Sequence, residues 1–167
     1  MIRACLALCL ALALAGCATG APVLKAHGPQ ALRFDAAANA GGEVDAALAR
    51  AAAEGKRVLL VLGANWCHDS TALAGWLTTA RFAALVAENY ELVFVNVGVP
   101  QTGEGVNLDI ARRFGLAELR GTPALLVLTA EGKPVNLDTA ASWRNAASRS
   151  EEAIYAELAA LARRPTP

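Results

Sequence analysis

The stretch 58-VLLVLGANWCHDS-70 decides how this chain is read. Val58 to Leu62 is an unbroken apolar run of strand length, as expected for a strand covered on both faces. Gly63 to Trp66 then turns the chain, and residues 67–77 predict a helix. The pattern therefore carries a strand straight into a helix whose first residue is Cys67.

Working outward from there, residues 43–54 predict a helix, with Val44, Ala47, Leu48 and Ala51 on one face and Gly55 as its stop. Residues 81–88 predict a further helix. Residues 91–97 contain Leu92-Val93-Phe94-Val95 and predict a second buried strand. Residues 99–108 read as a polar loop, with Pro100, Gly103 and Gly105, and residues 109–114 as a short helix ended by Gly115. Gly121-Thr122-Pro123 leads into a third apolar strand, residues 124–128. Glu131-Gly132-Lys133 predicts a hairpin turn into a fourth strand over 134–137, where Pro134 suits only the beginning or an edge. A last helix spans 151–163, with Ile154, Leu158 and Leu161 on its packing face. Helices alternating with strands, closed by a hairpin, imply an α/β fold with a central mixed sheet and helices on both faces.

The N-terminus is of a different kind. Arg3 precedes an apolar run from Ala4 to Ala15, which is short for a membrane span, and Leu14-Ala15-Gly16-Cys17 follows. This resembles a bacterial lipoprotein signal, in which the cysteine is acylated and becomes the mature N-terminus. The resemblance implies a signal peptide over residues 1–16 and a lipid on Cys17 that anchors the chain to a membrane. Ala18 differs from the aspartate of inner-membrane retention, so the implied location is the cell envelope, at the periplasmic face of the outer membrane. An ordinary secretory signal cut near Ala18 or Ala21 is the competing reading. Residues 17–42 lack steady periodicity and read as a tether, ending in an ordered flap around Leu32-Arg33-Phe34.

This processing changes the meaning of the cysteine count. Of four cysteines, Cys5 and Cys9 leave with the signal and Cys17 becomes a thioether. Cys67 remains alone in a compartment where disulfides persist. An odd thiol in an exported chain is a candidate for reactive or intermolecular chemistry.

The chain resembles the thioredoxin-like superfamily. The residues that carry the likeness are the strand Val58–Leu62 leading into Ala64-Asn65-Trp66-Cys67-His68-Asp69-Ser70, Gly121-Thr122-Pro123 before a later strand, and Glu131-Gly132-Lys133 in the closing hairpin. The likeness covers about residues 44–163 and implies a thioredoxin-like domain over 43–167. It further implies a redox site at Cys67 and a cis-proline at Pro123 facing it. The backbone of Thr122 would then be offered to a substrate strand. Ser70 stands where the family carries its resolving cysteine, and Val61 where classical thioredoxins carry a buried aspartate. That carboxylate is read as a proton relay for the second thiol, and burying it without that thiol would be costly.

A cysteine at a helix N-terminus meets unpaired backbone N–H groups and the positive end of the helix dipole, both of which favour the thiolate. A protonated His68 would add to this, Asp69 would oppose it, and Ser70 could donate its hydroxyl to the sulfur. Without a second thiol, Cys67 can form a mixed disulfide but an external thiol must release it. The partners implied are cysteine-containing envelope proteins or an external thiol reductant. That chemistry suits isomerisation, capture or monothiol exchange. The competing reading makes Cys67 a small buried hydrophobe in a non-catalytic protein-binding or assembly module that uses the same groove. Residue by residue, Trp66 reads as packing beside the site or as a wall for the substrate, His68 as a solvated neighbour, Asp69 as a partner of the helix dipole or of the substrate, and Ser70 as structural.

Other chemistries find no support. Formal net charge is +0, with no basic field for nucleic acid. No phosphate loop, hydrolase elbow or zinc-protease motif occurs. Cys67 and His68 are adjacent, which makes a poor chelating pair, and the second histidine, His27, lies in the tether. No metal or other cofactor is expected.

Overall fold

The computed structural model describes residues 28–166. The segment expected to be a signal, Cys17 and the first part of the expected tether lie outside them. The described chain begins with a strap over 28–35 and continues as α1 (Ala40–Glu54), β1 (Arg57–Gly63), α2 (His68–Leu77), α3 (Ala80–Asn89) and β2 (Tyr90–Asn96). Then come two short strands, β3 (Gly98–Val99) and β4 (Glu104–Gly105), α4 (Leu108–Arg113), β5 (Ala124–Leu128), a 3-10 segment (Ala140–Ser148) and α5 (Glu151–Arg163).

β1 is the centre of a three-stranded mixed sheet in the order β2-β1-β5. It pairs parallel with β2, Val58 opposite Glu91, and antiparallel with β5, Val61 opposite Leu125. Alternate side chains of the apolar run therefore feed two cores. Leu59, Val61, Leu125 and Val127 face α2, α3, α5 and Trp143. Val58, Leu60 and Leu62 face Val44, Ala47 and Ala51 of α1, and Ile110 and Phe114 beside α4. The expected α/β architecture, with helices on both faces of a mixed sheet, is the one found.

The helix starts follow local chemistry. Asn39 caps α1, its Oδ1 accepting from Gly42 N at 3.1 Å. Ser150 caps α5, its hydroxyl accepting from Ala153 N at 3.2 Å. Glu151 and Glu152 occupy the first turn of α5, where the dipole favours negative charge.

Three segments differ from expectation. The fourth strand, expected over 134–137, is reduced to a single bridge between Pro134 and Leu128. Pro134 has no N–H to give, and beyond one backbone bond, from Val135 N to Val127 O at 2.8 Å, the ladder positions are taken by a side chain. Buried Asn136 accepts from Val127 N at 2.8 Å through Oδ1 and donates to Leu125 O at 3.0 Å through Nδ2. The polar loop over 99–108 contains the β3–β4 hairpin, with Gly98 opposite Gly105. The stretch assigned to the tether is part of the domain from Gly28 on, because Phe34 is buried in the core and stacks edge-on to Phe94 at 5.5 Å.

The strap lies against α2. Ala31 N donates to Thr71 O at 3.0 Å. A Cβ on Gly75 would stand 2.2 Å from the Pro29 carbonyl oxygen, so only glycine lets the strap approach this closely. Asn65 fastens its other end, accepting from Phe34 N at 3.1 Å and donating to Phe34 O at 3.0 Å.

Candidate functional site

β1 and the turn after it place Cys67 at the N-cap of α2. The turn is closed by a bond from Cys67 N to Ala64 O at 3.1 Å. Cys67 is 9% exposed, so the sulfur has a narrow opening to solvent. It is a free thiol, and its Sγ donates to the carbonyl oxygen of Thr122 at 3.4 Å. The Thr122–Pro123 peptide bond is cis, and both residues are buried at the head of β5. The fold thus brings together Cys67, Thr122 and Pro123, which lie far apart in the chain.

The neighbours of the thiol divide into exposed and fastened groups. Trp66 is 54% exposed and donates from Nε1 to Gly98 O at 2.9 Å, so its ring is braced by the β3–β4 hairpin. His68 is exposed, its Nδ1 lying 2.9 Å from Gln30 Nε2 of the strap. Asp69 is turned toward the 3-10 segment, its Oδ1 accepting from Ala147 N at 2.8 Å. Asp69 is therefore a tie between α2 and that segment.

Ser70 fills space, as its structural reading expects, and does not serve the sulfur. Its side chain is fully buried, and its hydroxyl has no hydrogen-bond partner among the described residues, so it makes no bond to the Cys67 sulfur. It packs against Gly63 and Phe34: a Cβ on Gly63 would meet Ser70 Oγ at 2.8 Å and the Phe34 ring at 2.5 Å. The Thr122 hydroxyl is likewise buried without a partner among the described residues.

Sequence reasoning missed Gln30, Asn65 and Thr71 as parts of this site. Thr71 stands one helical turn beyond Cys67, and its hydroxyl lies 3.3 Å from Cys67 O and 3.0 Å from His68 O. That spacing was a usable signal. Gln30 carried none, since it lies in a segment without periodicity.

Comparison with known proteins agrees with this geometry. Residues 38–130 match the family model described as thioredoxin-like. The chain belongs to the thioredoxin-like family. Its structure is similar to a crystal structure described as disulphide isomerase from Xylella fastidiosa Temecula1, at 33% identity and a TM-score of 0.69. That similarity covers 77% of this chain and 95% of the other. No curated protein matches the chain. In this thioredoxin-like chain the helix that follows β1 begins Cys-His-Asp-Ser, so the position three residues after the thiol carries an oxygen.

Proposed function

We propose that this chain is a lipid-anchored thioredoxin-like protein that exchanges disulfides with cysteine-containing envelope proteins through Cys67. The observation that carries the proposal is the seat of this one thiol. It lies at the head of α2, between exposed Trp66 and His68 and against the backbone of Thr122.

The step begins when the Cys67 thiol gives up to solvent the proton it donates to the Thr122 carbonyl. The Cys67 thiolate attacks a client disulfide, forming a new S–S bond to one client sulfur while the client's own S–S bond breaks. The other client sulfur departs as a thiolate and takes up a proton. Ser70 cannot then displace the client, so a second thiol attacks the mixed disulfide and Cys67 leaves reduced. When that thiol belongs to the client, the result is isomerisation with no net change in oxidation state. When it belongs to an external reductant, that thiol is left joined to the client sulfur, and a second reductant thiol releases the client with both thiols reduced as the reductant becomes a disulfide. Similarity to a protein described as a disulphide isomerase supports the first outcome.

Trp66 offers a braced apolar wall for the client, and Thr122 a backbone edge. In this reading Cys17 carries the lipid and holds the domain at the periplasmic face of the outer membrane. Acyl labelling that disappears in Cys17→Ala checks the anchor separately.

The decisive experiment is trapping in envelope extracts after rapid acid quenching, with Cys67→Ser beside the unaltered chain. Discrete thiol-reducible adducts that need Cys67 are the expected result. A second reading, a binding module with an inert thiol, is favoured by the low exposure of Cys67 and by the use of its proton in a hydrogen bond. It predicts client binding that survives Cys67→Ser and alkylation only on unfolding.

A further inference from the structure

Gln30, in the strap, touches two residues of the thiol turn at once. Its Nε2 lies 2.9 Å from His68 Nδ1, and its Oε1 accepts from Thr71 Oγ1 at 3.3 Å. The backbone delivers it there. Ala31 N is bonded to Thr71 O, and Pro29 is pressed against Gly75. A surface side chain between two such anchors loses little further freedom in making its contacts.

The chemistry of the amide gives this contact a meaning. With its Nε2 toward the ring, Gln30 can donate to an Nδ1 that carries no proton. A half-turn of the amide exchanges its two ends. Oε1 then accepts from the Nδ1–H of an imidazolium, and Nε2 donates to Thr71 Oγ1. The Thr71 proton turns to the carbonyl of Cys67 or His68, both within 3.3 Å. The Gln30 amide and the Thr71 hydroxyl keep partners in both arrangements, so the contact with Nδ1 survives the gain or loss of a proton there.

We propose that Gln30 is a positioning residue that holds the His68 imidazole next to Cys67 through both of its protonation states, so that His68 protonates the sulfur leaving the client. This rests on the reading of Cys67 as an exchanging thiol. In balanced form, the Cys67 thiolate and the client disulfide give the mixed disulfide and a client thiolate. His68 as imidazolium then gives one proton to that thiolate and becomes neutral. Two charged side chains close to His68 in the fold are held by other partners. Asp69 is next in the chain, its Oδ1 held by Ala147 N, and Arg33 of the strap is turned over the Phe94 ring at 5.7 Å.

The test uses the lipidated protein in detergent, labelled with nitrogen-15 at its two histidines, His27 and His68. Imidazole shifts report the titration of His68, assigned with His68→Gln. The rate of mixed-disulfide formation with a small alkyl disulfide, whose leaving thiolate is basic enough to take up a proton, is followed over the same pH range. Gln30→Met keeps the length of the side chain but makes no hydrogen bond to the ring. It should slow exchange about tenfold, less than the full loss of general acid assistance. Gln30→Glu can only accept, favours the imidazolium, and should move the His68 titration up by about one pH unit. The rate profile should move with it. The proposal is overturned if both variants leave the titration and the rate profile unchanged while Cys67→Ser abolishes the reaction. It is also overturned, together with the thiol-exchange reading, if Gln30→Glu moves the titration in a protein whose Cys67 forms no adduct.

Discussion

The sulfur of Cys67 lies 3.4 Å from the carbonyl oxygen of Thr122, 55 residues further along the chain. The contact ties the head of α2 to the head of β5 and puts the thiol at a backbone edge. Serine keeps a donor at this position while removing the sulfur. Cys67→Ser is therefore expected to unfold in urea within about 1 kcal/mol of the unaltered chain. It should at the same time form no adduct with any disulfide. A large loss of stability would make the thiol chiefly a structural group.

Ser70 tests whether the missing partner can be restored. Its hydroxyl is buried without a hydrogen bond among the described residues. Such a group costs about 1–3 kcal/mol, so Ser70→Ala should be neutral or stabilising by up to about 1 kcal/mol once the small void left behind is counted. Ser70→Cys should lower the yield of trapped adducts, because a second thiol one turn on can displace the client within the same molecule. Non-reducing gels of the trapped protein check this. Undiminished adducts would mean that a thiol at position 70 cannot reach the mixed disulfide.

Asp69 acts at a distance in sequence. Its carboxylate accepts from Ala147 N, 78 residues away, and joins α2 to the segment that carries buried Trp143. Removing a charged acceptor from a part-buried N–H costs about 1–2 kcal/mol, and that loss is expected in urea unfolding of Asp69→Ala. Asp69→Asn retains an acceptor oxygen and should recover most of it. If Asp69 instead served the client, both variants would slow thiol exchange and leave stability unchanged.

Asn136 holds the edge of the sheet with its side chain. It pairs with Val127 N and Leu125 O and is fully buried. Asn136→Ala leaves a backbone donor and a backbone acceptor unpaired beside the core, a loss of about 3 kcal/mol. The midpoint of urea unfolding should fall accordingly, with the slope unchanged.

Asn136 also marks where legibility ended. Strands β1, β2 and β5 and helices α1 and α5 were readable, because apolar runs and helical spacing reflect burial directly. Residues 134–137 resemble a strand in composition, yet after Val135 one polar side chain takes over the ladder bonds, and no local pattern announces that. The β3–β4 hairpin has two residues per strand, too few for any period. Phe34 is a lone aromatic in a stretch of alanine, glycine and proline, so its insertion into the core left no repeat to read. In the site, Trp66, Cys67, Thr122 and Pro123 stood in recognisable local sequence. The bonds of Asp69 to Ala147 and of Gln30 to His68 join distant segments, and only the folded chain brings those partners together.

Tyr90 gives the fold a dependence on alkaline pH. Its hydroxyl is buried and donates to Leu158 O at 2.6 Å. Burial pushes its ionisation well above the ordinary tyrosine range, against the pull of the Arg57 and Arg163 charges. In the unfolded chain the phenol titrates near its usual value of about 10. The folded value is the higher one, so this group's contribution is fully present below about pH 10 and is lost as pH rises toward the folded value. The slope is on the order of 1.4 kcal/mol for each pH unit in that window. The chain has two tyrosines, Tyr90 and Tyr155. In Tyr155→Phe the phenolate absorbance then belongs to Tyr90 alone, and it should rise together with the loss of helical circular dichroism. Tyr90→Phe gives up one hydrogen bond, about 1 kcal/mol at neutral pH, and should flatten the fall in stability above about pH 10. Phenolate absorbance that rises near pH 10 in a still-folded Tyr155→Phe chain would mean that the hydroxyl reaches solvent without unfolding.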